Sequence, residues 1–249
     1  MWLRGLERNP CRFLRINELL RILFFTDLPL GSRVYGGRIV GSPPPWCKSL
    51  GDFGEDWGSP ARKRVSVTDS SLPCGSSKLE LVRGNILDQP LDALVTAANS
   101  GLLGGGGVDG AIHRAAGPDL LAACREVGGC PTGDAVATAP GALPLTCVVH
   151  AVGPIYGAHD GAEADLLASA HRRALEVAAA AGARSVAFPA ISCGVYGYPL
   201  AEAAPIGLGT IAAFLDDHPE VELVRYVLYG REEYEAFAHA LEALRAARG

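Results

Sequence analysis

The chain has 249 residues, of which 49% are apolar and 20% are charged, and its formal net charge is −5. At about 150 residues per domain, this length allows one or two domains with a sizeable core. No stretch approaches the roughly 18 to 20 uninterrupted apolar residues of a membrane-spanning helix, which argues against an integral membrane protein. The composition also differs from that of collagen, coiled coils and disulfide-rich miniproteins.

The charges are divided unevenly along the chain. Residues 1–78 contain 12 of the 22 Lys and Arg but only 7 of the 27 Asp and Glu, which leaves 10 basic and 20 acidic side chains in residues 79–249. Because phosphate backbones attract clustered Lys and Arg, no specific nucleic-acid partner is expected for the acidic part. A small anionic ligand is still compatible with this charge, since backbone N–H groups can bind it.

Residues 1–78 show no sustained helical or strand periodicity, although Leu14 to Phe25 could form one short amphipathic helix. Scattered arginines resemble a targeting peptide, but no apolar segment with a small-residue cleavage site follows them. We predict that residues 1–78 are a disordered or artefactual extension. One form of this prediction places the true start codon downstream, for instance at Val65 or Val67.

From Leu79 onward, short apolar runs alternate with helical stretches. The predicted strands are Leu79–Arg83, Ala93–Ala98, Ala135–Thr138, Cys147–Val152, Val186–Ala190 and Leu223–Tyr229. The predicted helices are Val108–Ala116, Pro118–Val127, Glu163–Ala181, about Leu200–Leu215 and Glu232–Ala247. This alternation predicts a three-layer α/β/α domain over residues 79–249, with a mixed, largely parallel central sheet of about six strands.

Two of the predicted helices carry further signals. The helix that starts at Glu163 is expected to end before Gly182, with the charges of His171–Arg173 on its solvent side. Pro205 lies inside the next helical stretch, so that helix is expected to begin late or to kink there.

A run of four glycines, Gly104–Gly107, follows the predicted strand that ends near Asn99. Such a run is entropically costly, and it is typical of backbone that approaches a ligand and directs N–H groups at anionic oxygens near a helix N-terminus. The run matches neither a Walker A loop nor a G-x-G-x-x-G fingerprint. Asp109, in the first helical turn, could cap the helix or hold a water molecule beside a bound sugar. His113, four residues on, could be a structural partner of Asp109 or a catalytic group.

A second loop, Ser192–Tyr196, joins another buried strand to a helix. A serine-hydrolase elbow is disfavoured because Ala190 stands where that motif needs glycine, and Cys193 is an equally weak candidate for a nucleophile. We interpret this loop as a second phosphate cradle in which Tyr196 packs against a sugar ring, with an ordinary turn as the alternative.

The seven cysteines form no C-x-x-C pair and no cluster with zinc-site spacing. Their odd number and scattered positions indicate reduced thiols. We therefore expect a cytoplasmic protein.

Four motifs in this order resemble the macrodomain family, and within it the MacroD-type ADP-ribose-binding hydrolases. They are Ala97 to Gly117, Cys130 to Gly133, His150 to Pro154 and Phe188 to Pro199. The resemblance covers nearly all of residues 79–249. It implies hydrolysis of ADP-ribosyl esters, with ADP-ribose, O-acetyl-ADP-ribose and mono-ADP-ribosylated proteins as ligands or substrates, and with neither a metal nor a cofactor.

The resemblance also implies roles for individual residues. Asp109 corresponds to the general base and Asn99 to the residue that holds the distal ribose, with His113 in a supporting position. Substrate binding is implied for Asn85, Ile86 and Tyr229 at the adenine end, for Gly106, Gly107 and Val108, and for Ser192, Cys193, Gly194, Val195 and Tyr196.

Three positions depart from the family pattern: Asn85 replaces an Asp, Thr96 replaces an Asn, and Cys193 stands where Thr is common. The carboxamide of Asn85 lacks charge assistance, so we expect a loss of about 1 kcal/mol in ligand affinity. The intact Asn99 and Asp109 favour an enzyme over the alternative, a non-catalytic ADP-ribose reader. A nucleic-acid or poly(ADP-ribose) scaffold that uses the basic N-terminal part is a more remote alternative.

Overall fold

The computed structural model describes residues 70–249, together with the backbone of two short strands, β1 (Val34–Tyr35) and β2 (Arg38–Ile39), which pair antiparallel. These two strands belong to one unit, Met1–Ala61, and the domain described below belongs to another, Arg62–Gly249. The predicted helix and most of the N-terminal segment that we predict to be disordered lie outside the described residues, but residues 70–78 of that segment are described and ordered.

Seven strands form the sheet of the second unit. They are β3 (Ser71–Cys74), β4 (Ser77–Arg83), β5 (Ala93–Ala97), β6 (Ala135–Thr138), β7 (Cys147–Ala151), β8 (Ser185–Phe188) and β9 (Leu223–Leu228). Their order across the sheet is β3-β4-β9-β8-β5-β7-β6. The five inner strands are parallel, and β3 and β6 pair antiparallel at the two edges. The mixed, largely parallel sheet is thereby confirmed.

The additional strand is β3, which the sequence prediction of about six strands omitted. It has four residues, includes Pro73 and pairs only with β4, as expected for proline on an edge strand. Its inward residues, Leu72 and Cys74, are buried in the core. The sheet therefore starts at Ser71, and the predicted domain boundary before Leu79 falls inside β4.

Five helices and one short 3₁₀ helix (Ile86–Asp88) connect these strands. The helices are α1 (Gly107–Ala116), α2 (Pro118–Val127), α3 (Glu163–Ala180), α4 (Leu200–Asp217) and α5 (Arg231–Arg248), each within two residues of its predicted bounds. Gly182 follows α3 with a φ of +85°, as expected at a helix end. Helix α4 already begins at Leu200 and contains Pro205, so the expected late start is wrong. None of the helices in the described part of the chain combines the length and apolarity that crossing a membrane requires.

The helices cover both faces of the sheet, as the strand pattern shows. On β5, Ala93 and Val95 belong to a core cluster with residues of α3, α4 and α5, whereas Leu94 between them packs with residues of α1 and α2. The same alternation occurs on β7, β8 and β9. Successive side chains of a strand point to opposite faces, so this pattern confirms the three-layer α/β/α architecture.

His171 does not face solvent as predicted, because its side chain is only 1% exposed. Its ring stacks on Phe188, Nδ1 donates to the carbonyl oxygen of Leu167, and Nε2 accepts from the hydroxyl of Tyr226. Burial lowers the pKa of His171 from 6.5 to about 4. The side chain is thus a neutral part of the core, and only the two arginines that follow it are exposed.

Candidate active site

A cavity of about 560 Å³ opens at the carboxyl ends of the parallel strands. Its lining includes the residues that follow these strands directly: Gly84 after β4, Ala98 after β5, Pro189 after β8 and Tyr229 after β9. Open α/β sheets bind their ligands at this edge, and the volume is that of a small-molecule site. The cavity therefore lies where the sequence places both glycine-containing loops.

The first loop forms one wall of the cavity and leads into α1. Gly105, Gly106 and Gly107 line the cavity, and Gly106 is the N-cap of α1. Gly107 has a φ of +57°, a left-handed conformation that favours glycine. The first N–H groups of a helix have no partner within the helix. The wall therefore offers main-chain donors to an anion, as the glycine run predicts.

Asp109 lines this cavity, yet it is only 4% exposed. Its Oδ1 accepts a hydrogen bond of 2.7 Å from Oγ1 of Thr96, a fully buried residue of β5. His113 Nε2 lies 3.7 Å from the same oxygen, which is too far for a hydrogen bond. Among the described residues, the Asp109 carboxylate accepts no hydrogen bond from a main-chain N–H of α1, so it does not cap the helix, although its place in the first turn complements the helix dipole.

Asn99, which precedes the glycine run in the first loop, also lines the cavity. Its Nδ2 donates to the carbonyl oxygen of Gly104, and its Oδ1 accepts from the N–H of Gly101, so it fixes the path of the loop. A methyl group built on Gly105 would lie 3.5 Å from Oδ2 of Asp109 and 3.7 Å from Nδ2 of Asn99. The two predicted catalytic side chains thus flank the same glycine.

The second loop contributes Ser192, Gly194, Val195 and Tyr196 to the lining. Ser192 is buried at a φ of +65°, which is unusual for a residue other than glycine, and its Oγ has no hydrogen-bond partner. The serine therefore has no adjacent base, and the geometry does not support a serine-hydrolase mechanism. Val195 is 99% exposed at the cavity mouth.

Cys193 is in the same loop but is not among the lining residues. Its side chain packs against the main core, and its thiol contacts the carbonyl oxygen of Ile191. Burial raises the pKa of Cys193 to about 12. A thiol held in its neutral form is a poor nucleophile, and this disfavours thiol catalysis.

The residues predicted at the adenine end are only partly brought together. Ile86 and Tyr229 line the cavity, whereas Asn85 is exposed and does not. Oδ1 of Asn85 accepts from the N–H of Leu87 and caps the 3₁₀ helix. Glu233 lines the cavity although sequence reasoning did not select it. The one sequence signal at Glu233 is that it lies three residues after Gly230, the N-cap of α5, a position where glutamate is common.

His113 lies behind Asp109, outside the lining, where it meets Cys124 and His150. The possible ligand atoms of these three residues all lie within 4.8 Å of one another, so they could hold a metal ion. Nε2 of His150, however, is 2.9 Å from the hydroxyl of Thr138 and 3.5 Å from the sulfur of Cys124. Burial raises the pKa of Cys124 and lowers that of His150 to about 4. A neutral thiol beside a hydrogen-bonded imidazole is typical of a polar cluster in the core.

Fold and cavity together define an α/β protein with a candidate ligand-binding cavity at the carboxyl edge of a largely parallel sheet. The sequence model of the Macro domain family matches residues 95–207. The chain is 52% identical over 157 residues to the O-acetyl-ADP-ribose deacetylase of Klebsiella pneumoniae (strain 342), covering 61% of this chain and 90% of that protein. It is 51% identical over 173 residues to a macro domain-containing protein of Streptomyces griseus, covering 67% and 96%. This chain belongs to the macrodomain family.

Solved macrodomain structures are also similar to this chain. The Oceanobacillus iheyensis macrodomain with ADP has a TM-score of 0.68 and 41% identity, over 71% of this chain and 96% of that one. The Trypanosoma brucei macrodomain in complex with ADP-ribose has a TM-score of 0.61 and 41% identity, over 66% and 68%. The family predicted from the four sequence motifs is confirmed.

Proposed function

We propose that this chain binds ADP-ribose and hydrolyses ADP-ribosyl esters. The substrates are O-acetyl-ADP-ribose and proteins with ADP-ribose esterified to Asp or Glu side chains. The observation that carries this proposal is the meeting of Asp109 and Asn99 around Gly105 in a cavity built from two main-chain loops. Relatives named O-acetyl-ADP-ribose deacetylase support the deacetylation.

The cavity suits a diphosphate without using basic side chains. Among the described residues, those that line it include no Lys or Arg. The negative charge of a diphosphate would instead meet the first N–H groups of α1, where the helix dipole is positive. The N–H groups of the Ser192–Tyr196 loop offer a second set of donors. The ligand would lie between these two loops.

The chemistry required is the attack of water on an ester carbonyl. In our proposal, Asp109 orients a water molecule toward the carbonyl carbon and accepts a proton from it. The bond between that carbon and the ribose oxygen breaks, Asp109 passes its proton to the ribose oxygen, and the acid leaves as a carboxylate after releasing the second proton of the water to solvent. Asn99 holds the distal ribose so that the ester faces Asp109, and this fixed geometry supplies much of the rate enhancement.

The test uses the full chain and the variants Asp109→Asn and Asp119→Asn. Asp119 is a matched control, because it is also an acidic residue in the first turn of a helix, α2, but is exposed and outside the cavity. Each protein is incubated with O-acetyl-ADP-ribose and with a mono-ADP-ribosylated acceptor protein, and the products are identified by mass spectrometry. We expect ADP-ribose from both substrates, and a kcat at least about 10²-fold lower for Asp109→Asn only.

Two outcomes would contradict the proposal. Saturable binding of ADP-ribose by the native chain without turnover of either substrate would define a reader module. Undiminished turnover in Asp109→Asn would remove Asp109 from the reaction. Release from one substrate alone would limit the proposal to that ester.

A further inference from the structure

The hydroxyl of Thr96 is the one side-chain group within hydrogen-bond distance of the Asp109 carboxylate in the described part of the chain. The bond is 2.7 Å long and joins the interior of β5 to the first turn of α1. Thr96 is fully buried, so its hydroxyl cannot turn toward solvent instead. An ionised carboxylate only accepts hydrogen bonds, and the hydroxyl therefore has to be the donor.

This bond assigns different tasks to the two oxygens of Asp109. Oδ1 is occupied by Thr96, whereas Oδ2 faces the space above Gly105, opposite the side-chain nitrogen of Asn99. Rotation of the carboxylate would break a buried hydrogen bond, and this cost keeps Oδ2 toward the cavity. Threonine suits the task because its branched side chain has few χ1 rotamers.

We propose that Thr96 is a positioning residue, which holds Asp109 Oδ1 so that Oδ2 alone faces the reacting water. The inference rests on the proposed function, in which Asp109 orients that water. It also gives a role to a residue that departs from the family pattern, since Thr96 stands where asparagine is usual. Thr96 would act only through Asp109, because it is not among the residues that line the cavity.

The experiment compares Thr96→Val with Thr96→Ser in the full chain. Valine has nearly the shape of threonine without its hydroxyl, whereas serine keeps the hydroxyl. Thr138→Val is the matched control, because it removes another buried threonine hydroxyl whose partner is His150 rather than Asp109. The measurements are kcat and KM for O-acetyl-ADP-ribose and the Kd of ADP-ribose by calorimetry.

We expect Thr96→Val to lower kcat by about 10- to 100-fold, because a misplaced catalytic group costs a rate of that order, while KM and Kd change little. Thr96→Ser is expected to keep most of the rate, and Thr138→Val is expected to match the native chain. In an Asp109→Ala background, Thr96→Val is expected to lower the residual rate no further, since a positioning residue has nothing left to orient.

The other possible outcomes contradict either the positioning role of Thr96 or the proposed function. A native kcat in Thr96→Val, with Asp109→Ala inactive, overturns the positioning role and leaves the proposed function intact. Joint loss of turnover and ADP-ribose binding in Thr96→Val also overturns it, since this is the result of a structural defect. If Asp109→Ala turns over substrate at the native rate, the role proposed for Asp109 fails, and the positioning role of Thr96 fails with it. If the native chain does not turn over O-acetyl-ADP-ribose, the proposed deacetylation itself fails.

Discussion

Two buried histidines predict that the domain loses stability as the pH falls from neutrality to about 5. Burial lowers the pKa of both His150 and His171 from 6.5 to about 4. In the unfolded chain the imidazoles regain an ordinary pKa near 6.5, so between these values the unfolded state binds more protons than the folded state. Their contribution to stability is complete above about pH 6.5 and decreases as the pH falls toward 4.

The size of the effect follows from the two pKa values. At pH 5 an imidazole with a pKa of 6.5 in the unfolded state and about 4 in the folded state lowers the free energy of unfolding by about 2 kcal/mol. Two such groups lower it by about 4 kcal/mol, a large share of the 5 to 15 kcal/mol that is typical of a domain. The pKa values of Glu80 and Asp134 are lowered by their ion pairs, despite the opposing effect of burial. Their stabilisation is lost only below the ordinary carboxyl pKa, near pH 4.

Urea unfolding of the full chain between pH 7.5 and pH 5, followed by far-ultraviolet circular dichroism, measures this effect. Circular dichroism is chosen over tryptophan fluorescence because Trp2, Trp46 and Trp57 all lie outside the described residues. His171→Gln removes one of the two titrations, so its pH dependence should be about half that of the native chain. His239→Gln, an exposed histidine of α5, is the control and should keep the native slope. A free energy of unfolding that is independent of pH in this range would refute the reasoning.

Two glycine substitutions test the cavity walls. Gly105→Ala places its methyl group at ordinary contact distances, 3.5 Å from Asp109 and 3.7 Å from Asn99, so we expect a nearly native melting temperature. We also expect at least about 10-fold lower turnover, because the methyl group takes the space of the reacting water. Native turnover of this variant would place the reaction elsewhere. Gly153→Ala would bring its methyl group against Ser192 Oγ and within 2.6 Å of Cγ2 of Ile191, a buried residue directly before the second loop. Because the branched side chain of Ile191 has little freedom to turn away, we expect the loop to shift, and calorimetry should show ADP-ribose affinity at least about 10-fold weaker. Unchanged affinity would show that this loop does not hold the ligand.

The sequence predicts the regular elements well because their signals are local. Helix α2, for example, begins at Pro118 and is followed by Gly128 in a left-handed conformation, and both its ends match the prediction. Strand β3 escapes the same reasoning, because four residues that include a proline are too short to show a period. His171 was misplaced since its burial depends on Tyr226, a partner on β9 that helix periodicity cannot reveal.

In the candidate site, the sequence predicts the course of the main chain better than the directions of the side chains. The glycine run and the second loop predict where the backbone approaches a ligand, and both loops line the cavity. Side-chain directions within those loops are set by packing, so Cys193 turns into the core and Asn85 bonds its neighbouring backbone instead. The contact of Thr96 with Asp109 was equally inaccessible, because it joins a strand to a helix thirteen residues further on.

In the complex that we propose, two negative charges meet at the first turn of α1. A diphosphate and the carboxylate of Asp109 are both anionic, and the described lining residues include no basic side chain to separate them. The positive end of the helix dipole and the N–H groups of Gly106 to Val108 can stabilise both charges at once. A glycine at position 105 keeps the space between Asp109 and Asn99 open. In the proposed complex, the glycine run thus stabilises negative charge and leaves space for the ligand, which is how so acidic a domain would bind an anion.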